Sequence, residues 1–528
     1  MLDCSRNGVL KVEQVKKMID LLQKIGYNTL ELYTEDTYEI EGEPYFGYMR
    51  GRYTETEIKE IDGYAKAHGI ELIPCVQTLA HLSTLLRHRE YADIHDTSGI
   101  LLIDEPKTYR LIEKMFATLA KNFSSRLVNI GMDEAHMVGR GKFLDKFGYQ
   151  QRHEIILRHL NKVLKIAKKY GFTPHMWSDM FFRCVNNGAY HVDENFEMPQ
   201  EILGKIPEVD LVYWDYYHKV KKGYDDNISA HQKLGKEVWF AGGAWSWNSF
   251  APLNRFTLLT MKPAMQSVLE HGVKDVLITM WGDGGKECSF FALLPSLYTI
   301  RRYADGDFDE EKIKQGFKQL FGLDYDDFMS LDLPNQTDKP FIYKDGQELQ
   351  QNPCALLLYS DPFMGLKDKI YADCPEIPYR EYAKRIKEAK KNAGEYAYIF
   401  ETLSLLCRAL EIKARLGIKT RLAYEKKDKK TLALSVKDYG KAARRIKAFH
   451  KEFCALWHKE NKPQGWEVQD ARLGGLIMRL YTCQNRLRDY VKGKTDKIEE
   501  LEEELLPFDA QMHLQNGNYS QILTMGVW

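Results

Sequence analysis

The chain has no excess charge of either sign, with 75 lysines and arginines against 75 aspartates and glutamates in 528 residues. That balance excludes a general electrostatic attraction to nucleic acid or to an anionic membrane surface. It also lacks any stretch approaching the ~18 uninterrupted apolar residues expected of a membrane-spanning helix. Met1-Leu-Asp-Cys-Ser-Arg6 has no basic segment followed by an apolar one, so no secretory leader is expected there. Nine cysteines, spread from Cys4 to Cys483, include no CxxC pair. That spacing suits neither a zinc cluster nor a disulfide scaffold and fits reduced thiols in a cytoplasmic protein. No repeat stands out beyond an alternation of strand-like and helix-like segments.

What is present is a globular composition, 44% hydrophobic and 12% aromatic, in a chain long enough for two or three domains. Up to about residue 300, short β-like runs alternate with amphipathic helical patterns. The strand candidates are 2–5, 29–33, 71–76, 126–130, 173–177, 210–214, 237–241 and 275–280. Val12, Val15, Met18, Ile19, Leu22 and Ile25 recur at helical spacing and stop at Gly26. Thr54-Glu-Thr-Glu57 reads as a capping box, and Pro106 opens another helix. Eight strand–helix units point to an α/β fold, a (β/α)8 TIM barrel. An open doubly wound sheet is second, since no GxGxxG follows the first strand. The barrel is assigned to 1–330, connecting loops over it to 331–378, and an α-helical C-terminal domain to 379–528. Helical patterns there run over roughly 379–394, 396–417, 428–458, 466–493 and 496–506. The Lys-rich Glu425–Lys430 reads as a solvated helix junction.

In such a barrel, chemistry gathers where strands end. Arg6 follows the first strand, Glu35 and Asp36 the second, and His81 the third. Asp133 and Glu134 follow the fourth, Trp177 and Asp179 the fifth, and Trp214, Asp215 and Tyr217 the sixth. Trp245 and Trp247 follow the seventh; Trp281, Asp283 and Glu287 follow the eighth. Taken singly, an Asp-Glu pair is an ordinary solvated turn, a Trp is rim packing and a His is structural. Taken together, indole faces beside carboxylates and an arginine describe a pocket for a sugar. Two adjacent carboxylates there would also perturb one another's protonation. A metal-dependent reading would use Glu134, His136 and Asp179, but Glu-x-His is not a helix-face ligand pair, so neither metal nor cofactor is expected.

The order of these residues resembles the family 20 glycoside hydrolases, the β-N-acetylhexosaminidases. The segments that carry the likeness are Met1–Arg6, Leu30–Asp36, Gly69–Pro74 with His81, Asn129-Ile-Gly-Met-Asp-Glu134 and Thr279-Met-Trp-Gly-Asp283. There are departures. Met132 stands where the family has Gly, the second strand end lacks a Trp, and no small α/β domain precedes a first strand that starts at residue 2. These features fit a compact branch of the family.

The resemblance implies a retaining exo-hydrolase for terminal β-linked GlcNAc or GalNAc on an oligosaccharide or glycoconjugate. The substrate's own acetamide is the nucleophile in this family, through an oxazolinium ion. Glu134 would then be the general acid and base, and Asp133 the acceptor of the acetamido N–H. Trp177, Trp245 and Trp281 would wall the pocket. Arg6 with Asp283 or Glu287 would bind hydroxyls, His81 and Asp36 would support the acid or the hydroxyls, and Asp215 and Tyr217 would contribute from the sixth strand. Two other readings stay open: a conventional retaining glycosidase with Asp283 or Glu287 as nucleophile, and an idle glycan-binding barrel. The choice of sugar, linkage and oligomeric state, a homodimer among the options, are open at this point.

Overall fold

The computed structural model describes residues 1–247, 249–337, 341–342, 348–349, 353–371, 376–506 and 519–526. Eight parallel strands form one sheet in sequence order: β1 (Leu2–Asp3), β2 (Thr29–Tyr33), β3 (Glu71–Cys75), β4 (Leu127–Asn129), β5 (Thr173–Trp177), β6 (Asp210–Trp214), β7 (Val238–Gly243) and β8 (Asp275–Thr279). A parallel bridge between Leu2 and Met280 joins the last strand to the first and closes the barrel. Registers such as Leu32 against Pro74 and Asn129 against His175 keep the strand ends level. Alternation sends every second residue inward. In the barrel floor the buried Glu31 carboxylate accepts from His175 Nε2 at 2.6 Å, and the His175 ring stacks on Trp239.

The helices between strands follow from local sequence. In α1 (Val12–Ile25) the buried stripe is Val15, Met18, Ile19, Leu22 and Ile25. Gly26, left-handed at φ 103°, ends it and donates its N–H to Leu22 O. In α2 (Glu55–Ala67) the capping box is present: Glu57 N donates to Thr54 Oγ1 at 3.2 Å and Thr54 N to Glu57 Oε2 at 2.8 Å. Pro106 opens α3 (Pro106–Asn122), and α4 (Arg152–Lys169) follows β4. Two short helices, Asp179–Arg183 and Gln200–Leu203, follow β5. The circuit finishes with α5 (Lys221–Gln232), α6 (Asn254–Glu270) and α7 (Leu294–Ala304).

Contacts divide the chain into two compact units. One, the barrel unit, comprises Met1–Ala244, Thr257–Trp281 and Leu297–Phe308; the other comprises Trp245–Phe256, Gly282–Ser296 and Asp309–Trp528. Within 331–378, where sequence reading expects connecting loops, 338–340, 343–347, 350–352 and 372–375 lie outside the described residues. The described part includes helices Pro353–Tyr359 and Asp368–Tyr371. The second unit is mainly helical, dominated by α8 (Ala397–Lys413), α9 (Leu416–Glu425), α10 (Lys429–Glu460) and α11 (Trp466–Val491). The junction at Glu425–Lys430 is a helix end followed by a cap: Asp428 Oδ1 accepts from Lys430 N and Thr431 N and starts α10. Among the described residues, no helix is long and apolar enough to cross a membrane.

Candidate active site

Beyond the strand ends of the barrel unit, the backbone turns sharply. Asn7, Glu35, His81, Met132 and Glu134 all adopt positive φ, at 72°, 44°, 57°, 72° and 51°. Left-handed backbone at non-glycine residues is sparsely populated and clusters where surrounding structure over-determines it, often at functional sites. Gly131, at φ 70°, has a second constraint. A Cβ there would fall 2.2 Å from Gln77 Oε1 and 2.8 Å from Val76 O, so no side chain fits. Consecutive left-handed residues after β4 let Asp133 and Glu134, which a regular strand would send to opposite faces, approach one imidazole.

That imidazole is His81. Its Nε2 stands 3.2 Å from Asp133 Oδ2 and 3.6 Å from Glu134 Oε2. Asp133 is buried, and Gln77 Nε2 donates to its Oδ1 at 2.8 Å. Burial works against the Asp133 charge, but His81 and Gln77 outweigh it and hold the carboxyl below its usual range. Burial likewise opposes protonation of His81, yet the Asp133 anion pushes it up to about 9, so the pair is ionised at neutral pH. Glu134 differs in environment: its side chain is 42% exposed. Its backbone N–H donates to Asp179 Oδ2 at 3.1 Å, an oxygen that also accepts from Arg183 Nε at 2.9 Å. Asp179 is fully buried, and burial together with the Asp133 anion pushes its carboxyl up to about 7.

An aromatic wall stands on the same strand ends. Trp281 meets Tyr33 edge to face at 4.9 Å and Trp177 at 6.0 Å between ring centres. Its Nε1 donates to Tyr216 Oη at 3.1 Å, and Tyr216 in turn stacks on Trp214. Tyr33 Oη accepts from Gln77 Nε2 and donates to Glu35 Oε1, both at 3.1 Å. Trp177 Nε1 is buried and has no hydrogen-bond partner among the described residues.

The other expected residues divide into groups. Arg6 lies 3.4 Å from Glu35 Oε1, with a partly exposed side chain. Asp36 instead turns to Arg50, Nε to Oδ1 at 3.1 Å. Asp215 stands with Tyr213 on the helix-facing side of β6, where Tyr213 packs on His231 of α5. Tyr213 Oη and His218 Nδ1 donate to Asp215 Oδ2, and Tyr217 N donates to Oδ1 at 2.9 Å. Trp214 and Tyr216 occupy the other face of that strand end. The half-buried Tyr217 ring meets Tyr216 at 5.8 Å. Trp245, Asp283 and Glu287 belong to the second unit. There Trp245 stacks on Trp247 at 4.0 Å, while Glu287 accepts from Tyr359 Oη at 2.9 Å and pairs with Arg472 at 3.1 Å. Asp283 is half-buried.

Sequence reading leaves Tyr33, Gln77 and Tyr216 out of the candidate set and, while placing Glu35 and Asp179 at the strand ends, gives them no individual role in sugar binding. A period-two count along the strands would have found some: Tyr33 precedes Glu35 by two, Gln77 follows Cys75 by two, and Asp179 follows Trp177 by two. Among the described residues, one group of three side chains has metal-ligand spacing, His191, Asp215 and His218. It does not include Glu134, His136 or Asp179.

Two family models match the chain: Glycosyl hydrolase family 20, catalytic domain, over residues 1–197, and Glycoside Hydrolase 20C C-terminal domain over residues 326–520. The chain is 26% identical over 218 residues to Hexosaminidase D of Homo sapiens, covering 39% of this chain and 42% of that protein. It is 24% identical over 253 residues to Hexosaminidase D of Bos taurus, covering 46% and 67%. The chain thus spans less than half the length of the human relative. A solved beta-N-acetylhexosaminidase from Bacteroides fragilis NCTC 9343 aligns with TM-score 0.46 and 18% identity, over 61% of this chain and 70% of that one.

Proposed function

Since the chain belongs to glycoside hydrolase family 20, we propose that it is a retaining exo-β-N-acetylhexosaminidase acting on terminal β-linked GlcNAc or GalNAc through substrate assistance. The carrying observation is the division of labour at one imidazolium. Asp133 is a buried, hydrogen-bonded anion, and Glu134 on the same His81 keeps a partly exposed side chain.

In this reading the sugar enters against the Trp177–Trp281 wall, where its C–H face packs on indole. Asp133 accepts the acetamido N–H, since a carboxylate with two protein donors keeps lone pairs in hand. That contact turns the acetamide carbonyl oxygen toward the anomeric carbon. Prealigned intramolecular attack of this kind can lower a barrier by roughly 7–11 kcal/mol. As the anomeric C–O bond breaks, Glu134 gives its proton to the leaving oxygen. The positive oxazolinium forms beside the Asp133 anion. Glu134, now ionised, then takes a proton from water, which attacks the anomeric carbon and restores the acetamide with net retention. His81 stays cationic throughout, orienting Asp133 and keeping two acidic groups tolerable at short range. Arg6, paired with Glu35, is positioned to hold sugar hydroxyls.

The test is hydrolysis of a chromogenic N-acetyl-β-glucosaminide alongside the matching β-glucoside. Turnover of the first, inertness of the second, and retained configuration at the anomeric carbon are expected. Comparable turnover of both would transfer the reaction to an enzyme-borne nucleophile.

A further inference from the structure

Away from Asp133 and Glu134, the loops after β5 and β6 bring two imidazoles and a carboxylate to one point. A ring nitrogen of His191, a ring nitrogen of His218 and an Asp215 oxygen all lie within 4.8 Å of one another. His191 Nδ1 is 3.6 Å from Asp215 Oδ2, and His218 Nδ1 shares that oxygen through a short hydrogen bond. The two rings meet edge to face with centres 4.9 Å apart. Ligand atoms around a tetrahedral zinc ion, with bonds of ~2.0–2.1 Å, sit about 3.3 Å apart. The His191–Asp215 separation is therefore close to a ligand span already. The His218–Asp215 contact must lengthen as the ion replaces the shared proton.

Asp215, the His218 backbone and the residues flanking His191 are held by further hydrogen bonds. Asp215 is fully buried, oriented by Tyr213 Oη at 2.6 Å and by Tyr217 N. Around His191, Tyr190 Oη accepts from Trp214 N at 3.2 Å. Asn227 bonds Val192 twice, accepting from its N–H at 3.0 Å and donating to its carbonyl at 3.2 Å. His218 has its carbonyl taken by Tyr224 Oη at 2.7 Å, and its ring lies on Gly223, where a Cβ would come within 2.3 Å of it. These contacts fix the Asp215 carboxylate and the backbone on which both imidazoles stand. A separate observation points to a ligand: His191 Nδ1 is buried, faces this cluster and makes no hydrogen bond. Both imidazoles are partly exposed at their outer edges, 31% and 24%, which leaves an entry route.

We propose that His191, Asp215 and His218 bind one divalent transition-metal ion of the zinc class and thereby tie the loop after β5 to the loop after β6. Two imidazoles with one carboxylate favour zinc, cobalt or nickel over magnesium or calcium, which prefer oxygen shells. Asp215 occupies the face of the β6 end opposite Tyr216, whose hydroxyl supports Trp281. The ion would therefore stiffen the strand end that backs the aromatic wall, without entering the hydrolytic reaction.

Chelator-treated full chain is titrated with Zn²⁺ by calorimetry, then loaded with Co²⁺ and its visible absorption recorded. One equivalent of Zn²⁺ and the intense visible bands of low-coordinate Co²⁺ are expected. His191→Ala, which removes no hydrogen bond from the Nδ1 position, should weaken Zn²⁺ binding by more than about 100-fold, the upper end of what losing an outer-sphere contact costs. Unchanged melting of the metal-free variant would show that it folds. His218→Ala should lose the Co²⁺ bands as well. Absence of Zn²⁺ uptake by the parent chain would overturn the proposal. So would equal uptake by His191→Ala, or binding abolished by cysteine alkylation rather than by these substitutions.

Discussion

In the helical unit, two buried carboxylates each meet their own guanidinium. Asp361 takes Arg479 through both oxygens at 2.6 and 3.2 Å, and Glu287 takes Arg472 at 3.1 Å. In the barrel unit, by contrast, Asp133, Glu134 and Asp179 crowd together around His81 and Arg183. Left-handed backbone occurs in both units: Glu35, His81, Met132 and Glu134 stand at strand ends of the barrel, while Lys286 and Lys427 carry it in the helical unit, where Lys427 ends α9. Local cancellation of charge holds a structure and asks nothing of a ligand. Crowded like charge on a constrained backbone costs stability and suits a site that must stabilise developing positive charge.

Four substitutions probe that contrast, beginning with the largest effect. Glu134→Gln should lower kcat by about 10²–10⁴ on an unactivated disaccharide, and far less on a substrate whose leaving group needs no proton, with melting unchanged. Equal losses on both substrates would remove Glu134 from the acid role. Asp361→Ala should do the reverse. It removes the bidentate partner of Arg479, leaving Glu500 at 3.6 Å, and since the Arg479 side chain is partly exposed the cost falls at the low end for a broken buried pair, about 3 kcal/mol by denaturant titration, with kcat per folded molecule retained. Asp179→Asn tests the crowding through pH. A carboxyl raised to about 7 in the native state contributes stability that is full below about pH 4 and lost as pH rises through 7. The variant should flatten that fall, and parallel stability profiles would contradict the crowded arrangement. Smallest is Lys427→Gly. Asp428 N donates to Ala423 O and Lys427 N to Tyr424 O, a Schellman turn that normally carries glycine. Relief of its φ of 53° should stabilise the protein by about 1 kcal/mol without altering turnover.

These tests bear on residues of unequal legibility. The strands at 29–33, 173–177 and 210–214 are legible to the residue, because each ends on an aromatic followed by a polar residue, Thr34, Ser178 or Asp215. The barrel followed from counting them. The Asp133–Glu134 pair was visible too. Which neighbour enters the site was harder to read, because a single left-handed residue reverses strand alternation. Glu35 at φ 44° reaches Arg6 and Tyr33, while Asp36, the residue sequence reading favoured, turns to Arg50. At β6 the face of Asp215 depends on Tyr213 packing against α5, a contact some twenty residues away in sequence. In the C-terminal region the helical pattern over 396–417 runs across the break between Lys413 and Leu416, and most of α9, up to Glu425, lies beyond it. Gln77 carries only the period-two spacing from Cys75, and its buried amide gains meaning from its partners Tyr33, Met132 and Asp133.

The claim that Asp133 folds a bound acetamide onto its own sugar is tested most directly by the affinity of a GlcNAc-thiazoline, a neutral mimic of the oxazolinium, for the parent chain and for Asp133→Asn. The parent should bind it at least ~10²-fold more tightly than free GlcNAc, with most of that preference lost in the variant. Equal affinity for thiazoline and GlcNAc in the parent chain would contradict the account.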